Sequence, residues 1–331
     1  MDFTTTISDL TGFLAIILDL QRKNDDGEIA QASLHHKLKG ELVFRGHEDK
    51  DYKLSPSIAR SIPNGSGETY LSHEHNIIAS LQLALPDVFC ETFSPIELLA
   101  LLQHFSAPTR VLDVTENPLV ALYFACQKGT PKDKLYPDGE VIVFFNNPHE
   151  NIALCELNAI AETHLYFDEN NDPIFLQRYI TNVVKSPYAK RVGLKDHINQ
   201  RMLSFSNLSG SPHSQAETAI VSEWLSGGPW LVNSAIHAKR QEMQRGKYIL
   251  FPNRYVDLED GSEPYIDPQI DEIKKAPEQK RLYVCYRIII PEVSKKRLLQ
   301  ELDLIGINES LLFPENIESA CKTIVSRSID K

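Results

Sequence analysis

Apolar residues recur at helical spacing in several separate stretches of the chain. Ser8 can cap a first helix, whose apolar face consists of Leu10, Phe13, Leu14, Ile17 and Leu18. Similar spacing predicts further helices at residues 70–86, at 95–105, after Asn117-Pro118 and at 294–302. The spacing between residues 151 and 207 is also mostly helical, whereas residues 207–230 are rich in Ser, Gly and Pro and are predicted to form loop.

Short runs of β-branched and aromatic residues between these helices predict strands. They comprise residues 41–46, 109–114, 140–145, 247–251 and 282–290. The acidic, Pro-containing stretch 254–280 between the last two is predicted to be an exposed insertion. Because helices and strands are mixed along the chain, the pattern predicts an α+β or mixed α/β fold.

The composition of the chain excludes some classes of protein. The chain has 331 residues with 34 Lys+Arg against 45 Asp+Glu, which gives a formal net charge of −11. A chain of this length can bury a large core in one elaborated domain or two, without disulfides or a structural metal. The acidic balance argues against a protein that coats polyanions, but a local basic groove, and with it a nucleic-acid substrate, stays open.

Cysteine spacing and the N-terminal segment predict a cytoplasmic protein with no membrane contact. The cysteines are far apart and never form a CxxC pair, which indicates neither a disulfide framework nor a zinc finger. The apolar run Phe13–Leu18 is too short to span a bilayer, and acidic Asp2 and Asp9 stand where a signal peptide carries basic residues.

Common cofactor and nucleophile motifs are missing from the sequence. There is no GxGxxG after a strand, no GxxxxGK followed by Ser or Thr, and no GxSxG, which excludes dinucleotide-fold dehydrogenases, P-loop NTPases and ordinary serine hydrolases. His73 and His75 lie on opposite faces of a helix rather than at the i, i+4 spacing of a zinc site. No metal site is therefore predicted.

The first candidate for chemistry is the pair Arg45-Gly46 at the end of the first predicted strand. A guanidinium at an exposed strand tip suits a phosphate or carboxylate clamp, and glycine permits close approach by a ligand. The alternative is a structural pairing of Arg45 with a carboxylate such as Glu74 or Asp113.

A second group of polar residues lies in and beside a short apolar strand. It consists of His104, Thr109, Arg110, Asp113 and Thr115. Buried polar groups must be paired or must face a ligand, so this density indicates a binding site. The alternative is that Asp113 and Thr115 cap the helix that starts near Asn117.

A third group precedes the strand predicted at 247–251. Glu242, Gln244 and Gly246 stand at the entrance of that strand, where Gly246 allows close approach of the backbone. Glu242 is the candidate where a carboxylate is needed, and Gln244 has the better-placed glycine. The alternative is a solvated charged turn.

The order of these motifs resembles the FRG domain, a bacterial and phage-associated family named after a tripeptide found here as Phe44-Arg45-Gly46. The further matching segments are 54–58 (LSPSI), Gln103-His104, 108–113 (PTRVLD), 117–125, the pattern Arg240, Gln244, Gly246 and Tyr248, then 288–291, 306–308 and 312–314. The resemblance implies an N-terminal helix at 1–28 and an FRG domain at 29–325, with a helical and loop insertion at about 150–230 and an acidic insertion at about 254–280.

The FRG layout is in turn remotely similar to ADP-ribosyltransferases. This likeness implies an α+β fold with a mixed, mainly antiparallel sheet core, flanking helices and a helical insertion. It implies NAD as cosubstrate, with Arg45 on the phosphates or nicotinamide ribose and Thr109 or Thr115 at the nicotinamide. The other implied cofactor-binding residues are Gly46, His104, Arg110 and Asp113.

The catalytic residues implied by the same likeness are Arg45, Gln244 and Glu242. Gln244 stands at the position of the usual carboxylate. Because Gln244 is neutral and can only hydrogen-bond the ribose, Glu242 or Asp113 must supply the charge. The implied function is an NAD-consuming toxin or antiphage effector that modifies a macromolecule, protein or nucleic acid, with an antitoxin as a possible further partner. The alternatives are a noncatalytic module that binds a nucleotide or nucleic acid and, third, a nuclease.

Overall fold

The computed structural model describes most of the chain. The described residues are 4–29, 38–63, 67–90, 92–132, 135–162, 172–209, 213–226, 228–233, 239–258, 260–273 and 281–313. Within them the strands are β1 Thr4–Thr6, β2 Glu41–His47, β3 Val111–Thr115, β4 Gly139–Asn146, β5 Ile174–Phe175, β6 Trp230–Asn233, β7 Gly246–Leu250, β8 Arg254–Val256, β9 Tyr265–Asp267 and β10 Leu282–Ile290. The helices are α1 Leu10–Asp25, α2 Glu74–Ala84, α3 Pro95–His104, α4 Pro118–Ala125, α5 Leu154–Ala161, α6 Leu176–Lys185, α7 Pro187–Arg191, α8 Leu194–Ser209, α9 His213–Ser226, α10 Lys239–Gln244, α11 Glu292–Leu304 and α12 Glu309–Leu312.

A seven-stranded sheet organises the described part of the chain, in the order β1-β10-β4-β2-β3-β7-β6. Every pairing in it is antiparallel except that of β1 with β10. Helices flank this sheet, so the predicted α+β class with a mainly antiparallel sheet is confirmed. All eight residues of β4, an interior strand of this sheet, are buried, which explains its mainly apolar sequence.

Apolar side chains form separate clusters on the two faces of the sheet. Phe44 and Val143 point into the cluster shared with α1, α4 and α11, whereas Val43 and Phe144 point into the opposite one. This alternation follows from the two-residue repeat of a strand. A third cluster joins α2 and α3 to the helices between residues 150 and 230 and includes Val111, Tyr248 and Leu250 of the sheet, so the predicted helical insertion shares its core with the sheet.

The sheet opens between β2 and β3. These strands pair only at Phe44 and Thr115. By contrast, β2 pairs with β4 along its whole length from Glu41 to His47, and β3 pairs with β7 along its whole length from Val111 to Thr115. Helix α4 covers the junction so closely that a Cβ on Gly46 would lie 1.9 Å from the carbonyl oxygen of Ala121. The divergence leaves space at the C-terminal part of β2.

Three sequence predictions differ from the structure. Helix α1 is capped by Asp9, whose side chain accepts from the backbone N–H of Gly12, and not by Ser8. The loop predicted at 207–230 is wrong because α9 crosses it and buries Trp224 completely, so tertiary packing outweighs the Ser- and Gly-rich composition.

The acidic stretch 254–280 is more than an exposed insertion. It contains β8 and β9, which with β5 form a second, three-stranded sheet that buries Ile266. These strands were not predicted, because a short strand needs only one buried position in two and carries little apolar signal. In the described part of the chain, no helix is both long and apolar enough to cross a membrane.

Candidate functional site

A cavity of about 410 Å³ lies where β2 and β3 separate. Its walls are Phe44–Gly46 of β2, residues 113–115 of β3, the end of α3, one side of α4, and α10 with the start of β7. Arg45, Gly46, His104, Asp113, Thr115 and Gln244, all predicted from sequence, line it together. The predicted Thr109, Arg110 and Glu242 lie outside this lining.

The cavity is cationic although the chain carries a net charge of −11. Its described lining contains the guanidinium groups of Arg45, Arg60 and Arg240 and the single carboxylate of Asp113. Arg60 and Gln241 were not predicted, because an isolated Arg after a turn and a Gln in a charged helix carry no local signal. The charge balance favours a ligand with more than one negative charge.

Arg45 crosses the opening between the strands. Its Nε donates to Nε2 of His47 at 2.9 Å, and its Nη1 donates to the backbone carbonyl of Asp113, which β2 leaves unpaired. A guanidinium has five N–H donors, so three remain for a ligand. Burial, with the positive charge of Arg60 as a smaller cause, lowers the pKa of Arg45 from its usual value. Arg45 therefore forms neither of the alternative ion pairs, with the carboxylate of Glu74 or with that of Asp113.

A buried polar chain continues from Arg45 into the sheet. Nδ1 of His47 lies 3.3 Å from Oε1 of Glu140, and Nη1 of Arg287 donates to Oε2 of Glu140 at 2.6 Å. His47 and Glu140 are only 4% and 1% exposed. Burial lowers the pKa of His47, and its hydrogen bond to the Glu140 carboxylate opposes this only in part. Sequence reasoning missed both residues, although a Glu inside an otherwise apolar strand was a detectable signal.

Asp113 is held by a second chain of hydrogen bonds. Nε2 of Gln103 donates to its Oδ2 at 2.6 Å, and Oγ1 of the buried Thr109 donates to Oε1 of Gln103 at 2.7 Å. Asp113 therefore does not cap α4, whose cap is Asn117. Thr115 does take part in that turn, since its Oγ1 accepts from the N–H of Asn117 at 2.9 Å and donates to the carbonyl of Gln244.

Arg110 has its partners behind the cavity wall. The fully buried guanidinium donates through Nε to Glu74 at 2.9 Å and through Nη2 to the other oxygen of the same carboxylate. Its Nη1 donates to the carbonyl of Phe251 at 3.1 Å and to Oδ1 of Asn253 at 2.8 Å. These contacts give Arg110 the role of joining α2 to β3 and to the end of β7.

Helix α10 places amides rather than acids at the cavity. Gln244 lines it and donates from Nε2 to the carbonyl of Leu312 at 3.1 Å, while Glu242 is exposed. Tyr248 donates its hydroxyl hydrogen to Oε1 of Gln241 at 2.7 Å, and burial raises the pKa of Tyr248 so that the hydroxyl stays protonated. The amide nitrogen of Gln241 is then the group left to donate to a ligand.

The remaining predicted residues have defined surroundings. His104 lies at the end of α3, with its ring 5.2 Å from that of Phe105. A Cβ on Gly246 would lie 3.1 Å from Cγ of Gln241, so a larger residue there would require the Gln241 side chain to shift by a few tenths of an ångström. Arg240 lies over the ring of Phe313, with its guanidinium carbon 4.8 Å from the ring centre. Among the described residues, no group of three or more His, Cys, Asp or Glu side chains is placed to hold a metal ion.

Comparison with known families supports the resemblance seen in the sequence. Residues 40–134 match the family model of the FRG domain. Searches of curated proteins and of solved structures found no match. The matched segment runs from the start of β2 past α4 and contains Arg45, His104 and Asp113, which is the part of the chain that forms the open junction of the sheet.

Proposed function

We propose that the cavity binds NAD and that the protein is an ADP-ribosyltransferase-like enzyme. The observation that carries the proposal is the meeting of three guanidinium groups with one carboxylate at the β2–β3 junction. NAD has two phosphate charges to be held and one glycosidic bond beside a developing positive charge. The cavity offers groups of the right sign for both.

The phosphate end of the ligand fits the arginines. The three unused donors of Arg45, together with Arg60 and Arg240, can hold a pyrophosphate by charge-assisted hydrogen bonds. The cavity volume of about 410 Å³ lies in the range of small-molecule sites. Phe44, Phe124 and Tyr248 supply aromatic surface for a ring of the ligand.

The reacting end of the ligand fits Asp113. When the bond between C1′ of the ribose and the nicotinamide nitrogen breaks, its electron pair neutralises the ring nitrogen and leaves positive charge on the ribose. The Asp113 carboxylate, held by Gln103, can stabilise that charge. An acceptor hydroxyl, amine or water then bonds to C1′ and loses a proton. Of the two acids that the sequence left open for this role, Glu242 and Asp113, we choose Asp113 because it lines the cavity, while Gln244 can hydrogen-bond the ribose.

A second candidate is a noncatalytic module that binds a nucleotide or nucleic acid. The observation in its favour is that the position of the usual carboxylate is Gln244, and that one oxygen of Asp113 is already bound by Gln103. In this case the same arginines bind the phosphates and no bond is broken.

The test is to incubate the purified protein with NAD, with and without a bacterial lysate. Free nicotinamide and the incorporation of labelled ADP-ribose into protein and nucleic-acid fractions are followed together. Asp113→Asn should lower nicotinamide release by roughly a hundredfold or more, the effect typical of losing one charge-stabilising group. Glu242→Gln, a matched acid-to-amide change outside the cavity, should leave it unchanged.

Each outcome separates the candidates. Incorporation of label supports a transferase and identifies the acceptor class, and release without incorporation indicates an NAD hydrolase. Binding of NAD without any release supports the noncatalytic module. Loss of activity in Glu242→Gln with full activity in Asp113→Asn would refute the assignment of Asp113. An NAD-consuming activity would also account for the proposed toxin or antiphage role, with growth arrest on expression that Asp113→Asn relieves.

A further inference from the structure

The polar chain behind Arg45 joins three neighbouring strands. His47 of β2 lies opposite Glu140 of β4, and Arg45 and Arg287 both lie opposite Ile142 of β4. Residues directly opposite each other in antiparallel strands share a face of the sheet, so the four polar side chains lie side by side. The order of contacts is Arg45 to His47, His47 to Glu140, and Arg287 to Glu140.

The direction of each hydrogen bond follows from the donors available. A guanidinium can only donate, so Nε2 of His47 accepts from Arg45 and must lack a proton. Nδ1 then carries the proton and faces Oε1 of Glu140. Arg287 satisfies the second oxygen of Glu140 and thereby holds the carboxylate that orients His47. Neutral His47 in one tautomer is the form that fits this chain.

We propose that His47 is a positioning residue that aims Arg45 into the cavity, and that the cavity binds its anionic ligand only while His47 is neutral. Among the described residues, the other hydrogen bond of the Arg45 guanidinium is to the carbonyl of Asp113. One hydrogen bond allows the guanidinium to rotate, whereas two bonds from different nitrogens fix its plane. This inference deepens the proposed function, because it concerns the arginine assigned to the phosphates.

Protonation of His47 removes the contact. An imidazolium has no free lone pair, so its Nε2–H would point at the Nε–H of Arg45 and place two positive charges together. The other groups facing His47 are Glu140, Arg287 beyond it, and the ring of Tyr52, whose centre lies 5.9 Å from that of His47. Burial keeps the pKa of His47 below its usual value. Arg45 is therefore held at neutral pH and released as the pH falls through the lowered pKa.

The test measures NAD affinity by calorimetry, from pH 7.5 down to the lowest pH at which the protein remains folded. NAD is a suitable probe because its phosphates are diesters and stay singly charged over this range. In the wild type, the dissociation constant should rise at least tenfold on the acid side, equivalent to about 1.4 kcal/mol. His47→Gln retains an acceptor for Arg45 but cannot titrate, so its affinity should stay level. His149→Gln, which changes an exposed histidine away from the cavity, should keep the wild-type profile.

A second readout needs no ligand. The Nε–H proton of Arg45, observed by NMR in arginine-labelled protein, should exchange slowly with water at pH 7.5 and rapidly once His47 titrates. Each rate is compared with the intrinsic exchange rate of a free arginine at the same pH, because this exchange is catalysed by hydroxide. On that scale the proton should remain protected in His47→Gln and be unprotected in His47→Leu. A protected Nε–H proton in His47→Leu would overturn the inference. The same rise of the NAD dissociation constant at acid pH in wild type and in His47→Gln would also overturn it. If no variant binds NAD at any pH, the proposed function fails, and the exchange measurement alone decides the role of His47.

Discussion

The buried ion pair between Arg110 and Glu74 allows a quantitative test of how the cavity wall is held. Arg110 is 0% exposed and Glu74 is 4% exposed. Glu74→Gln would leave a buried guanidinium without a countercharge, and breaking a buried pair in this way costs about 3–5 kcal/mol. The contacts of Arg110 with the Phe251 carbonyl and with Asn253 remain. We therefore expect the free energy of unfolding to fall by about 3 kcal/mol.

Urea unfolding followed by tryptophan fluorescence measures this change, because Trp224 and Trp230 are both buried in the fold. The matched control is Glu272→Gln, which breaks the exposed pair of Glu272 with Lys53 and should leave the unfolding curve unchanged. Adding Arg110→Met to Glu74→Gln should restore part of the lost stability, since it removes the unpaired charge. A loss below about 1 kcal/mol for Glu74→Gln, the value of an exposed pair, would refute this account of Arg110.

Two further predictions concern packing and thiol chemistry. Gly46→Ala should destabilise the fold by about 1–3 kcal/mol or more, because its Cβ would lie 1.9 Å from the carbonyl oxygen of Ala121. In the control Gly12→Ala, the new Cβ meets no atom closer than 3.4 Å, so this variant should not be destabilised. Equal thermal melting curves for the two variants would contradict the close packing of α4 on Gly46. Burial raises the pKa of the Cys126 thiol to about 12, so this thiol should react with a thiol reagent at pH 8 only after unfolding. Labelling of the native protein followed by mass spectrometry measures this, with the half-buried Cys90 as the comparison.

Several helices and strands could be predicted from the sequence because their signals are local. Helix α3 follows from Ser94, Pro95 and Glu97, which form a capping box with a proline at the first turn, and α4 follows from Asn117-Pro118. The strands at 140–145 and 282–290 were evident as apolar runs, and they pair with each other inside the sheet as β4 and β10. Each of these signals acts within a few residues, so no tertiary information is needed to read it.

The sequence also identified much of the cavity. Arg45, Asp113 and Gln244 were recognisable because polar residues at strand ends require partners or ligands, and the structure brings them together. Thr109 and Arg110 gave the same signal and lie outside the lining. Composition shows only that a buried polar group needs a partner, and it does not show which partner it has.

The partner of each buried polar group depends on the tertiary structure. Arg110 finds Glu74, 36 residues away, and His47 finds Glu140, 93 residues away, because strand pairing brings distant segments to within hydrogen-bond distance. The cavity itself exists because β2 and β3 share a single pair of residues, a property of sheet register. Register is set by the packing of whole strands and helices, here by α4 against Gly46, and it is invisible in any one segment of the chain.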